Sequence, residues 1–94
     1  MDLGAGKRGT DMGPSAIHLA GLQEKILSQG HEIDSIMSCG TQSFDASEPG
    51  IPGARFLTEI HETCEKIANR TEAAVDAGHI PLVLGGDHSQ AIGT

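Results

Sequence analysis

The stretch Ile80-Pro81-Leu82-Val83-Leu84-Gly85-Gly86-Asp87-His88-Ser89 decides the fold. Its first part, Ile80 to Leu84, carries no polar side chain and reads as a short strand covered on both faces, with proline tolerated at its entry. Strands of that kind belong to parallel sheets, whose crossover helices hide both sides. The polar residues then leave at the strand's carboxyl end, where open α/β sheets place their ligands. Two glycines let the backbone turn sharply there and admit a close neighbour. His88 is therefore placed to ligate a divalent metal, with Asp87 beside it as a supporting partner or a helix N-cap. The same residues also fit a plainer reading. Asp87 or Ser89 would cap a helix starting near Gln90, and His88 would be merely polar.

Upstream, Phe56, Ile60, Cys64, Ile67, Thr71 and Val75 recur at three- and four-residue steps. This spacing predicts an amphipathic helix with Glu59, Glu62, Glu65, Lys66, Arg70, Glu72 and Asp76 outside and Gly78 as its stop. Ser38 to Gly53, rich in Gly, Pro and Ser, reads as a linker. Before it, His31 to Met37 is half alternating and reads as a second strand, and Pro14 to Gln29 as a helix that Gly30 terminates. Ile17, Ala20, Leu22, Ile26 and Leu27 supply that helix's apolar stripe. The order helix, strand, helix, strand implies an α/β fold with a parallel sheet and right-handed crossovers. Two strands do not make an independent doubly covered sheet. The chain begins within one strand-to-helix loop and ends just after another, so residues 1–94 are expected to be a partial domain, incomplete at both ends.

Composition agrees. The 94 residues allow one small domain, and Leu, Ile, Val and Phe total only 20, with two Phe and neither Trp nor Tyr to fill a core. A net charge of −7 with scattered basic residues opposes nucleic acid, because binding to phosphates needs clustered Lys and Arg. The longest apolar run, Ile80 to Leu84, is far short of the roughly 18 residues of a membrane span. Cys39 and Cys64 lack CxxC spacing, which fits reduced thiols in a cytoplasmic protein.

Other motifs carry less. Gly4-Ala5-Gly6-Lys7-Arg8-Gly9 matches GxGxxG formally, but its helix starts only at Pro14, too late to face a pyrophosphate. It reads as a tight structural loop or the rim of a site. His61 and Glu65 have zincin spacing without the second histidine, and read as a solvated face. His31 and His79 stand at helix-to-strand junctions. His18 has no partner at metal spacing, and neither cysteine has a histidine neighbour to activate it.

Three stretches together, MDLGAGKRGTDMGP (1–14), SAIHLAGL (15–22) and PLVLGGDHSQAIGT (81–94), resemble the N-terminal part of the arginase branch of the ureohydrolase family. GGDHS after an apolar strand is a specific signature of that family, and RGTDMGPSAI is closer to arginase than to agmatinase. His18 departs from the pattern, which usually has arginine there. The resemblance implies a three-layer α/β/α sandwich, assembly into homotrimers or hexamers, and hydrolysis of L-arginine to L-ornithine and urea by a hydroxide bridging two manganese ions. It makes His88 the first metal ligand, with Asp87 and Ser89 in the motif but not ligating. The family's DxHxD and DxD ligand motifs do not occur in these 94 residues, so the isolated chain is expected to be inactive. The alternatives are another ureohydrolase, such as agmatinase or formimidoylglutamase, and a non-catalytic regulatory or interaction subunit.

Overall fold

The protein's structure is a computed structural model that describes residues 1–40 and 50–94. A 3-10 turn at Thr10–Met12 leads into α1, Gly13–Leu19, and then α2, Leu22–Ser28. A two-stranded antiparallel hairpin, β1 (Gly50–Ile51) and β2 (Ala54–Arg55), precedes the long helix α3, Leu57–Asp76. A second 3-10 helix, His88–Gly93, closes the chain.

The helix expected around Ile60 and Ile67 is α3. Its end is a Schellman motif: the Gly78 N–H donates to the Val75 carbonyl at 2.9 Å and the His79 N–H to the Ala74 carbonyl at 2.9 Å. Gly78 sits at φ 79°, which glycine adopts without a Cβ penalty. The buried face runs through Phe56, Thr63, Cys64 and Ile67, and stops before the last turns, leaving Val75 exposed. Thr63 is buried because its hydroxyl donates back to the Glu59 carbonyl at 2.8 Å.

Four expectations are corrected. The single helix from Pro14 to Gln29 is two helices, because Gly21 takes a left-handed φ of 88° between them and interrupts the helical backbone. Its stripe of Ile17, Ala20, Leu22, Ile26 and Leu27 buries nothing fully, since neither α1 nor α2 has a buried residue. The linker read from Ser38 to Gly53 is partly structured: Gly50 pairs with Arg55 and Ile51 with Ala54 around Pro52-Gly53. Proline followed by glycine at φ 85° suits a type II turn. Residues 41–49 of that linker lie outside the described residues. Finally, His31 to Met37 and Ile80 to Leu84 are not strands. Among the described residues the hairpin is the one ladder, and no parallel sheet forms. A strand exists only through hydrogen bonds to a neighbour, and these two segments do not pair with each other. Ile80 is 95% exposed, and Leu82, Ile36 and Met37 are exposed as well.

The small core therefore gathers where the chain's ends meet α3. Met1, Leu3 and Phe56 form its centre, with Ile60 packed against it. Phe56 is the largest fully buried side chain, and it sits at φ 55°, a left-handed conformation rare for a bulky residue. Its carbonyl accepts the first helical hydrogen bond, from the Ile60 N–H at 2.9 Å, so the ring enters the core at the turn that starts α3. The Arg55 guanidinium lies 5.4 Å from the ring centroid. The radius of gyration, 14.6 Å, exceeds the roughly 12 Å of a compact chain this long, in keeping with so little burial. No helix among the described residues is long and apolar enough to cross a membrane.

Truncating Phe56 removes the centre of the core. Phe56→Ala is expected to cost about 3–5 kcal/mol, comparable to the whole stability of a marginal small domain at about 5 kcal/mol. Far-UV circular dichroism should then show loss of the α3 signal at room temperature, and retention of native helicity would contradict this placement of the core.

Candidate functional site

The Gly85-Gly86-Asp87-His88-Ser89 turn is built against the first ten residues. Gly86 makes this possible. A Cβ there would lie 2.0 Å from the Met1 carbonyl oxygen and 2.8 Å from the Thr10 carbonyl carbon, so only glycine lets the two backbones approach. Gly85 differs, since a Cβ there meets the tip of the Gln90 side chain, which can swing away. Beyond Gly86 the Asp87 N–H donates to the Met1 carbonyl at 3.0 Å. The two segments are thereby joined at the point where the polar residues leave Leu84.

Asp87 is buried and N-caps the closing 3-10 helix, its Oδ1 accepting from the Ser89 N–H at 2.8 Å and from the Ser89 hydroxyl. Its Oδ2 accepts from the Gly4 N–H at 3.0 Å. Of the roles open to Asp87, the cap is the one the structure contains, although the helix begins at His88 rather than near Gln90. A second buried carboxylate, Asp2, accepts from the Gly9 N–H at 3.3 Å. The glycine-spaced loop is thus held at both ends by carboxylates, as a structural loop rather than a nucleotide cradle.

His88 itself is exposed. It lines a cavity of about 570 Å³ with Thr71, Val83, Asp87 and Gln90 between α3 and the closing helix. Under that helix, Gly93 presses on α3, where a Cβ would come within 2.4 Å of the Cys64 carbonyl oxygen. The Cys64 thiol donates to the Ser89 carbonyl at 3.3 Å. Burial first, and the nearby Asp87 charge second, push the Cys64 thiol above a thiol's ordinary 9.0. Cys64 is a packing residue with an inert thiol, and both Cys39 and Cys64 are free.

The remaining histidines are apart from this turn. His61 and Glu65 form an exposed pair at 3.8 Å along α3. His79 faces Asp34 at 3.7 Å, and the Arg70 guanidinium donates to the Ser38 carbonyl at 3.2 Å, which lays the 34–38 segment along the end of α3. His18 closes the last turn of α1, and His31 is exposed. Among the described residues no three His, Cys, Asp or Glu side chains converge to hold a metal ion. His88 offers one imidazole nitrogen, whereas the Asp87 oxygens are taken by N–H and O–H groups. These residues alone do not make a manganese site.

Asp2 and Gly4 escaped the sequence reading. The signal available was a carboxylate between two apolar residues, Met1-Asp2-Leu3, directly before a glycine-spaced loop.

The arginase family model matches residues 1–94. The chain belongs to the arginase family. This family member is 43% identical over 97 residues to the arginase of Brevibacillus brevis, covering all of this chain and 31% of that protein. It is 41% identical to the arginase of Bacillus caldovelox, covering all of this chain and 32% of that one. The likeness extends to the arginase of Eremothecium gossypii, at 34% identity over 97% of this chain. The arginase-family chain thus spans about a third of the length of the curated relatives it matches. No solved structure matches it. Family membership implies an α/β fold.

Two outcomes follow. Gly86→Ala is expected to lower stability by about 2–3 kcal/mol and Gly85→Ala by less than about 1 kcal/mol, because only the first meets backbone on its far side. Urea midpoints measure both. For Cys64, a raised folded value means the native state keeps its proton longer than the unfolded chain. Its contribution is complete below 9.0 and is lost as pH rises through the folded value. Stability should therefore fall on the alkaline side, and Cys64→Ala should flatten that fall in urea titrations carried from neutral pH upward.

Proposed function

We propose that residues 1–94 form the first part of a ureohydrolase domain whose complete protein hydrolyses L-arginine to L-ornithine and urea. In that protein the domain is a three-layer α/β/α sandwich, and Ile80 to Leu84 takes its place in a parallel sheet. The complete site holds two manganese ions, to which this chain contributes His88, and the remaining ligands come from outside these residues. The protein is a cytoplasmic homotrimer or hexamer. Alone, the 94 residues do not turn over substrate.

The observation that carries this reading is the position of His88. It sits at the exit of the chain's most apolar segment, on a turn pinned to the chain's first residues by the Asp87 N–H and the Gly86 backbone. Arginase-named relatives matching the whole chain at 41–43% identity support the substrate class. Ile36, Met37, Ile80 and Leu82 are apolar and exposed, as expected of segments that a larger sheet would cover.

A chimera tests it. These 94 residues would replace the matching stretch of the Brevibacillus brevis arginase, and urea release from L-arginine with added manganese would be measured. The chimera is expected to be active, its His88→Ala variant at least about 100-fold slower, and the 94-residue chain alone silent. An inactive but folded chimera favours a regulatory subunit, and preference for agmatine over arginine favours a sister ureohydrolase.

A further inference from the structure

The closing 3-10 helix that begins at His88 has six residues and the weak internal hydrogen bonding of its type, so its direction depends on what holds it from outside. At its far end Gly93 is seated on the Cys64 carbonyl. At its near end stands Asp87, whose two carboxylate oxygens serve different parts of the chain. Oδ1 caps the helix through the Ser89 N–H and hydroxyl. Oδ2 reaches 83 positions back along the chain to the Gly4 N–H at 3.0 Å. The Gly4 loop is in turn anchored at its other end, where Gly9 donates to Asp2. Gly4 leaves little slack, since a Cβ there would stand 3.0 Å from Asp87 Oδ1 and 3.1 Å from the Ser89 Cβ.

We propose that Asp87 is a positioning residue for His88: its carboxylate ties the turn that carries the imidazole to the Gly4–Gly9 loop, so that the loop's place sets the imidazole's direction. The residue adjoining the proposed ligand thus acts through two backbone amides, and the glycine loop belongs to the same site as His88. A carboxylate suits this because it offers two separate acceptor oxygens, one for each segment. A shorter hydroxyl side chain could keep the cap and would not reach Gly4. The inference rests on the arginase-family reading only for what His88 binds.

Nuclear magnetic resonance on the isotopically labelled 94-residue chain tests it, through the His88 ring signals and the amide exchange of Gly4 and Ser89. Asp87→Ser is expected to keep the Ser89 amide protected, to speed Gly4 amide exchange at least tenfold, and to shift the His88 ring signals. Gly4→Ala, with residue 87 intact, should move the His88 ring signals as well. Ser89→Ala, which keeps the amide and the Gly4 link, should leave them in place. Unchanged Phe56 and Ile67 signals establish that each variant is folded. The proposal is overturned if the His88 ring stays at its original position when Gly4 is released, or if Ser89→Ala shifts it as far as Asp87→Ser does. The chimera separates the two readings: a His88→Ala chimera as active as the chimera itself sinks the metal-ligand role and leaves the positioning result standing.

Discussion

The Asp87 N–H to Met1 carbonyl hydrogen bond, with the Gly86 backbone pressed beneath it, brings the two ends of the chain together. Without that approach the carboxylate of Asp87 could not reach Gly4. The core depends on the same meeting, because Met1 and Leu3 are buried against Phe56 only while the N-terminal segment is held there. A side chain at position 86 would separate all of these at once. One glycine therefore connects the packing of the core to the placement of the candidate site.

Around that junction the molecule buries little. Apolar residues in the 31–37 and 80–84 segments face outward, and the helices α1 and α2 contribute no buried side chain. Hydrophobic stabilisation scales with the apolar area removed from water, and here much of that area stays wet. What holds the described residues is a set of hydrogen-bonded junctions: the helical bonds of α3, its Schellman end, and buried carboxylates satisfied by backbone amides, one of them across 83 positions. Asp2 and Asp87 illustrate how such groups can be buried, because each oxygen with an N–H partner is spared the cost of lost hydration. Asp2 stabilises a loop, whereas Asp87 caps the closing 3-10 helix and ties it to that loop.

Where a feature is governed by neighbours in sequence, it was legible. The period of Phe56, Ile60, Cys64 and Ile67 marks α3 and most of its inner face, and Gly78 marks its end, because helix periodicity and the left-handed stop are local properties. For Asp87 the motif left cap and supporting partner open, and it treated Gly85 and Gly86 alike; the structure chose the cap and showed that backbone crowds only position 86. Val75 was assigned to the inner face because the period continues through it, but periodicity does not tell how far along a helix the covering elements extend. Gly21 could be tolerated inside a helix, at a cost of about 1 kcal/mol, or end it, and packing readily decides a margin of that size. The left-handed Phe56 gave no signal, since nothing in its side chain favours that conformation.

The sequence by itself determined the helical period of α3, the stop at Gly78 and, through its motifs, the family. All of these rest on contacts a few residues apart or on residue chemistry. Only the tertiary structure decided that Asp2 and Asp87 hold the Gly4–Gly9 loop, that Cys64 lies beneath Ser89, and that Ile80 to Leu84 lacks a ladder. The physical reason is common to the three. Each depends on which distant backbone arrives beside a given residue, and a hydrogen bond across 83 positions leaves no periodic trace in the residues between.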